Sequence, residues 1–220
     1  MNNVSNRQKA VLPNGLYGIT AERFSLGRNN LDVVRAMIDG GIKIIQYREK
    51  RPHKDFRRML EECRAIRDLT REAGVVFIVN DYVDLALLCD ADGVHVGQDD
   101  LPVPEVRRLV GPEKIIGLST HAPEQARQAE AVGADYIGVG PIFATQTKED
   151  VCDPVGFDYL THVAQHSRLP FVAIGGIKKH NIADVVRRGA RTVSLVTEIV
   201  GAEDIPATIR ELDEIIKKIL

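Results

Sequence analysis

Side chains that can bind anions or hard cations are concentrated at the ends of short apolar segments of this sequence. The segment "IQYREK" follows the apolar run "GGIKII" and contributes one carboxamide and two cations, Gln46, Arg48 and Lys50. A cation or carboxamide that is partly buried needs a partner, because an unpaired buried charge is very costly. These residue types favour a phosphorylated anion as that partner.

Two carboxylates follow neighbouring apolar segments, Asp81 in "VND" and Asp100 in "GQDD". They could hold one Mg²⁺, with waters and substrate phosphate completing the octahedron. They could also form a general acid–base pair. An internal ion pair with Arg48 or Lys50 is the plainer interpretation, but it accounts for only one pair of charges. With Lys148 also nearby, Mg²⁺ and a polyphosphate balance the charge better.

A second anion site is predicted further along the chain. Gly175-Gly176 would allow backbone N–H groups to approach a phosphate, and "ATQTKED" adds the hydroxyls of Thr145 and Thr147 and the cation Lys148. Of the histidines, His95 is interpreted as a satisfied interior residue, whereas His121 is ambiguous.

Eight short β-branched segments alternate with helical patterns and would position these residues. The predicted strands are 16–20, 42–48, 75–80, 93–97, 115–119, 136–140, 171–176 and 192–196. Helical patterns include 54–73, 123–132, 157–165 and 181–188, and a final helix follows the N-cap Asp204. The alternation predicts a single α/β domain, a (β/α)8 TIM barrel spanning 15–220, with residues 1–14 as a short N-terminal extension. An open doubly wound sheet is the main alternative, but the first turn lacks a Gly-rich phosphate motif.

Strand parity sharpens the prediction for the second strand. Alternate side chains share a face, so Ile44, Gln46 and Arg48 lie on one side, and Ile45 and Tyr47 lie on the other. In a barrel, active sites lie at the carboxyl ends of the strands. Gln46 and Arg48 are therefore expected to face the mouth of the lumen.

Composition excludes several other classes of protein. The 220 residues include 29 basic and 31 acidic side chains, a net charge of −2, which gives no general attraction to nucleic acid or anionic lipid. Three widely spaced cysteines predict neither a disulfide framework nor a zinc site. The absence of a signal peptide or an apolar span predicts a cytoplasmic protein without a membrane partner. Whether the chain forms a homo-oligomer is left open.

The ordered motifs "IQYREK", "VND", "GVHVGQDD", "GLST", "GPIFATQTKED", "PVG", "AIGGI" and "VSLV" span about residues 42–197. Together they resemble the thiamine phosphate synthase (thiamine-phosphate pyrophosphorylase) family. The resemblance implies a transferase of thiamine biosynthesis with two phosphorylated substrates. It would condense 4-amino-2-methyl-5-(diphosphooxymethyl)pyrimidine with a thiazole monophosphate, by a Mg²⁺-assisted dissociative substitution that releases pyrophosphate.

The resemblance also implies roles for individual residues. Arg48, Lys50, Ser119 and Lys148 would be catalytic, and Asp81 and Asp100 would bind the metal. The pyrimidine diphosphate would contact Gln46, Tyr47, Arg48, Glu49, Lys50, Asn80, Ser119 and Lys148. The thiazole phosphate would contact Thr145, Gln146, Thr147, Gly176, Val196 and Thr197.

Two departures from the family pattern occur near the eighth strand. Arg191-Thr192 replaces the usual Asp-Gly pair, and Thr197-Glu198 replaces a Ser followed by a small residue. Two other interpretations account for fewer of these residues. A thiazole tautomerase on the same barrel would need a base, for which His121 is the obvious choice. A non-catalytic thiamine-related binding or regulatory protein would not need the intact cations and carboxylates.

Overall fold

Eight parallel strands close into a barrel in the computed structural model, which describes residues 11–145, 147 and 152–220. Each strand is hydrogen-bonded to the next, and the last strand returns to the first. The strands are β1 (Gly15–Ile19), β2 (Ile44–Tyr47), β3 (Val76–Asn80), β4 (Gly93–Val96), β5 (Ile115–Thr120), β6 (Tyr136–Val139), β7 (Phe171–Ile174) and β8 (Thr192–Ser194). The predicted (β/α)8 barrel is confirmed.

Helices follow the strands on the outside of the barrel. They are α1 (Asn30–Gly40), α2 (Phe56–Ala73), α3 (Val83–Leu88), α4 (Val103–Val110), α5 (Pro123–Ala131), α6 (Gly156–His166), α7 (Ile182–Arg187), α8 (Val196–Val200) and α9 (Ile205–Lys217). A short 3-10 helix, Glu22–Phe24, precedes α1. Asp204 caps α9 by accepting a hydrogen bond from Ala207 N at 2.8 Å, as predicted. No helix in the described ranges is long and apolar enough to cross a membrane.

The eighth strand is shorter than predicted, and this part of the prediction was wrong. β8 ends at Ser194, and Val196 begins the short helix α8. Val196 and Thr197 therefore lie in the first turn of a helix rather than at the end of a strand. The β-branched run suggested a strand, but Ile199 and Val200 lie three and four residues after Val196, which gives one apolar helical face. That face packs against the core, with Ile199 and Val200 fully buried.

The two faces of the barrel strands carry separate apolar clusters. The lumen cluster consists of Tyr17, Ile19, Ile44, Ile78, Ile115, Tyr136 and Val172. Ile45 and Tyr47 belong instead to the larger cluster between the strands and the helices. The predicted parity of the second strand is therefore correct for Ile44, Ile45 and Tyr47. Burying each large apolar side chain contributes about 1.5–3 kcal/mol to the stability of the fold. This gain favours a lumen that is filled with side chains.

The amino-terminal end of the barrel is covered by residues that precede β1. Leu12 packs against the lumen cluster, and Pro13 O accepts a hydrogen bond from Thr192 Oγ1 at 3.0 Å. Gly15 N donates to Arg191 O at 2.8 Å. The departure at Arg191-Thr192 therefore lies at the floor of the barrel, at the opposite end from the carboxyl ends of the strands.

Candidate active site

A chain of hydrogen bonds crosses the lumen just below the carboxyl ends of the strands. Gln46 Nε2 donates to the Tyr17 hydroxyl at 2.9 Å, and the Tyr17 and Tyr136 hydroxyl oxygens are 2.9 Å apart. The Tyr136 hydroxyl is 2.9 Å from His95 Nδ1, and His95 Nε2 is 3.0 Å from Ser119 Oγ. We call these five residues the lumen chain. It links two of the predicted substrate ligands, Gln46 and Ser119, through three side chains.

His95 is held as a satisfied interior residue, as the sequence analysis predicted. Gly117 makes the room for it, because a β-carbon at that position would overlap both the Tyr136 ring and His95 Nδ1. At Gly138, on the neighbouring strand, a β-carbon would lie 3.3 Å from His95 Cε1. Burial is the main cause that raises the pKa of the Tyr17 hydroxyl, and it likewise raises the pKa of Tyr136. Both phenols therefore keep their protons near neutral pH.

The rim of β2 and β3 carries an ion pair between predicted ligands. Lys50 Nζ lies 2.5 Å from Asp81 Oδ2, with 41% of the lysine side chain and 14% of the aspartate side chain exposed. Asp81 adopts φ of +60°, a left-handed conformation that is uncommon for residues other than glycine. Burial and the nearby Asp100 carboxylate raise the pKa of Asp81, against the lowering effect of Lys50. Asp100 Oδ2 accepts a hydrogen bond from Gly97 N at 2.7 Å.

The loop after β2 is anchored by a buried polar cluster that the sequence analysis did not identify. Lys54 Nζ lies 2.7 Å from Glu62 Oε1 and also pairs with Glu22. Asn30 Nδ2 donates to the carboxylates of Glu62 and Glu49, each at 3.0 Å. We call these five residues the glutamate cluster. It fixes Glu49 between the two predicted diphosphate ligands at positions 48 and 50.

Two residues from the predicted pyrimidine site are directed into this anchoring region. Tyr47 is buried on the outer face of β2, where its hydroxyl donates to Glu62 Oε2 at 2.8 Å. Glu49 Oε1 accepts a hydrogen bond from Glu22 N at 3.1 Å. Arg48 N donates to Thr20 Oγ1 at 2.9 Å, which ties the backbone of this loop to the end of β1. The structure thus places Tyr47 and Glu49 as supports of the loop.

Asn80 lies at the last position of β3, directly beside His95 in the strand register. It is buried, at the same level of the barrel as the lumen chain. The structure therefore places Asn80 beside His95, the residue of the lumen chain that contacts Ser119.

The rim of β6 to β8 contains most of the predicted ligands of the second phosphate. Gly176 adopts φ of +61°, and a β-carbon there would lie 2.6 Å from Ala144 O, so only glycine fits this tight approach. Thr145 Oγ1 and Thr147 Oγ1 lie 3.1 Å apart in the facing loop. Thr197 Oγ1 accepts a hydrogen bond from Lys178 Nζ at 2.9 Å. Gln146 and Lys148 lie outside the described residues.

Lys178 also forms an ion pair with Glu198 at this rim. Its Nζ lies 3.2 Å from Glu198 Oε2, and Lys179 N donates to Glu198 Oε1 at 3.2 Å. The additional negative charge is therefore paired beside Thr197. In the sequence Glu198 stands as an isolated departure, because the pattern does not place Lys178, twenty residues earlier, next to it.

His121 follows β5 and is held by two hydrogen bonds. Its Nδ1 lies 2.5 Å from Gly140 O, so this nitrogen carries the proton. His121 N donates to Gln125 Oε1 at 2.7 Å. The ring is thus oriented by the backbone at the end of β6.

A closed eight-stranded parallel barrel with cations, carboxylates and hydroxyls at the carboxyl ends of its strands defines an enzyme of the (β/α)8 class. The family model described as thiamine monophosphate synthase matches residues 16–199. The chain belongs to this family.

Individual relatives agree over nearly the full length. The chain is 65% identical to a thiamine-phosphate synthase from Pelotomaculum thermopropionicum, over 94% of each chain. It is 56% identical to one from Lawsonia intracellularis, over 91% of this chain and 92% of the relative. A solved thiamine phosphate pyrophosphorylase from Pyrococcus furiosus superposes with a TM-score of 0.85 at 36% identity, covering 94% of this chain and 96% of that one. The chain is accordingly a transferase of thiamine biosynthesis.

Proposed function

We propose that this enzyme joins 4-amino-2-methyl-5-(diphosphooxymethyl)pyrimidine to a thiazole monophosphate, giving thiamine phosphate and pyrophosphate. The observation that carries this assignment is the arrangement of Lys50, Asp81 and Asp100 at one rim, beside the Gln46 and Ser119 ends of the lumen chain. The family membership supports the same reaction.

The reaction breaks the bond between the pyrimidine methylene carbon and the diphosphate oxygen, and the electron pair leaves with the diphosphate. The thiazole nitrogen then supplies its lone pair to the methylene carbon, so no proton has to be removed from either substrate. Arg48 and Lys50 would stabilise the growing negative charge on the diphosphate. Thr145, Thr147, Gly176 and Thr197 would hold the thiazole phosphate, so that the two reacting atoms are kept together.

The carboxylates of Asp81 and Asp100 fit a Mg²⁺ ion. They supply oxygen ligands. Burial is the main cause that raises the pKa of Asp81, and the nearby Asp100 carboxylate raises it further, a repulsion that a divalent cation would relieve. Within the described ranges they are joined by no third acidic, histidine or cysteine side chain in a metal-binding group. When bound, Mg²⁺ would neutralise diphosphate charge. Lys50, which already contacts Asp81, would bind the opposite side of the same anion.

The test is formation of thiamine phosphate and pyrophosphate by the purified protein with both substrates and Mg²⁺. Asp81→Asn should lower kcat by about 10²-fold or more, the usual effect of removing one group that stabilises the transition state. Asp99→Asn is the matched control, because Asp99 is exposed and adjacent to Asp100. Absence of product with active substrates would reject the function. Equal activity of the two variants would reject the metal site.

The cytoplasmic location and the oligomeric state remain predictions. Gel filtration with light scattering would determine the oligomeric state, and fractionation of the host cell would determine the location.

A further inference from the structure

The ligands predicted for the thiazole phosphate are all uncharged: Thr145, Gln146, Thr147, Gly176, Val196 and Thr197. A phosphate monoester carries a charge of about −1.5 to −2 at neutral pH. Neutral donors alone do not offset the cost of removing such an anion from water, whereas a charge-assisted hydrogen bond is about twice as strong as a neutral one. Lys148 is assigned to the diphosphate of the other substrate. A further cation is therefore expected at the rim of β6 to β8.

Lys178 places its ammonium group at this rim. It lies in the loop between β7 and α7, and its Nζ donates to Thr197 Oγ1 at 2.9 Å. A lysine ammonium group can only donate, so the Thr197 oxygen accepts this hydrogen bond and its own proton is directed elsewhere. The ammonium group and the Thr197 hydroxyl are thus two adjacent donors. A phosphate that accepts the hydroxyl proton would also lie within reach of Lys178 Nζ.

The backbone of Lys178 is fixed relative to Gly176. Asn181 Oδ1 accepts a hydrogen bond from Lys178 N at 2.7 Å, and Asn181 Nδ2 donates to Gly176 O at 3.2 Å. The side chain of Lys178, by contrast, is 37% exposed. The loop therefore holds the start of this side chain in place, while the ammonium group stays accessible to a ligand that enters from solvent.

Glu198 is the anion that Lys178 contacts in the structure. Glu198 Oε2 lies 3.2 Å from Lys178 Nζ, and Glu198 Oε1 accepts a hydrogen bond from Lys179 N at 3.2 Å. An ion pair between partly exposed side chains contributes little to stability, so a phosphate of higher charge can replace the carboxylate at Lys178 Nζ. The contact with the backbone keeps the carboxylate nearby, where it repels the same phosphate.

We propose that Lys178 is a specificity-determining residue for the phosphate of the second substrate, and that this phosphate replaces Glu198 as its partner. The inference rests on the proposed function and deepens it, because it names the cation that distinguishes a thiazole phosphate from the unphosphorylated alcohol. Lys178 attracts the phosphate and Glu198 opposes it, so the two side chains have opposite effects on binding. A purely structural ion pair would give both residues effects of the same sign.

The first test measures KM for the thiazole phosphate in charge-changing variants. Lys178→Met should raise this KM about tenfold, the effect of losing one hydrogen bond to a charged group. Glu198→Gln should lower it about threefold, because the repulsion disappears while the amide oxygen can still accept from Lys179 N. Lys178→Arg should restore most of the wild-type KM because it keeps the charge. KM for the pyrimidine diphosphate should not change in any of these variants.

Lys179→Met is the matched control for the loss of a lysine from this loop. Lys179 Nζ pairs with Glu211 Oε1 at 2.5 Å, away from Thr197, and the variant keeps the backbone N–H that contacts Glu198. Its KM for the thiazole phosphate should equal that of the wild-type enzyme. A KM that changes in the same direction in Lys178→Met and Glu198→Gln would overturn the inference.

The second test measures binding directly by titration calorimetry, so it does not depend on turnover. The probes are the thiazole monophosphate and the unphosphorylated thiazole alcohol. The wild-type protein should bind the phosphate at least about tenfold more tightly than the alcohol, and Lys178→Met should remove most of this difference. A preference that survives in Lys178→Met would refute the role of Lys178. If the wild-type protein forms no thiamine phosphate but shows the Lys178-dependent preference, the proposed function fails while the role of Lys178 in phosphate binding stands.

Discussion

Replacement of Lys54 by methionine should destabilise the fold although Lys54 is outside the proposed substrate contacts. Its side chain is 6% exposed, and it contacts Glu62, which is 8% exposed, as well as Glu22. Removing one partner of a buried ion pair costs about 3–5 kcal/mol, because the other charge is left uncompensated. Asn30 still donates to Glu62 in the variant, and Arg58 Nε lies 3.3 Å from it. We therefore expect Lys54→Met to lower the free energy of unfolding by about 3 kcal/mol, the lower end of this range.

The assay is urea denaturation at neutral pH, followed by fluorescence and circular dichroism. Lys217→Met is the control, since Lys217 pairs with Asp213 on the exposed face of α9 and its loss should leave the unfolding midpoint nearly unchanged. A Lys54→Met, Glu62→Gln double variant should recover part of the loss, because it removes the orphaned charge. Equal stability of the two lysine variants, or no recovery in the double variant, would refute the inference that Lys54 compensates a buried carboxylate.

Two further predictions concern the glutamate cluster and the lumen. Burial alone would raise the pKa of Glu62, but hydrogen bonds from Lys54 and other neighbours lower it below its ordinary value of 4.5. Its contribution to stability is therefore present above the unfolded pKa and lost as pH falls through the folded one, so Glu62→Gln should flatten the acid limb of a stability–pH profile. Gly117→Ala should lower the free energy of unfolding by about 3 kcal/mol, because the added methyl group overpacks the lumen and breaks the hydrogen bond between His95 and Tyr136. Gly138→Ala should lower it by less than half as much. Equal unfolding midpoints for the two alanine variants, or an unchanged acid limb for Glu62→Gln, would contradict these predictions.

The strands and the lumen face of β2 could be predicted because strand parity is a local property. A period of two assigns Gln46 to the lumen without knowledge of any other strand. Parity does not reveal what Gln46 contacts. Tyr17 and Tyr136 lie in apolar segments and look like ordinary core residues, and their hydroxyls meet only when the barrel closes across 119 residues of sequence. The local signals were Gly117 and Gly138, which are residues without a side chain within strands and lie beside His95.

The glutamate cluster was missed for the same physical reason. Glu22, Lys54 and Glu62 belong to the 3-10 helix, a loop and α2, and each is unremarkable as a charged residue near the end of an element. Their burial depends on how α1 and α2 pack over the end of β2. By contrast, Asp81 directly follows β3 and Asp100 lies in the loop after β4, so the fold class alone specifies that these two carboxylates lie near each other.

The ion pair between Lys50 and Asp81 and the proposed binding of a metal diphosphate are compatible interpretations of one rim. A pair whose lysine is 41% exposed contributes at most about 1 kcal/mol. Against it stand the left-handed backbone of Asp81, which costs about 1 kcal/mol, and the repulsion from Asp100. The pair therefore does not offset the cost of placing two carboxylates together. On the proposed function, a metal-bound diphosphate that neutralises both carboxylates and also engages Lys50 would replace this contact.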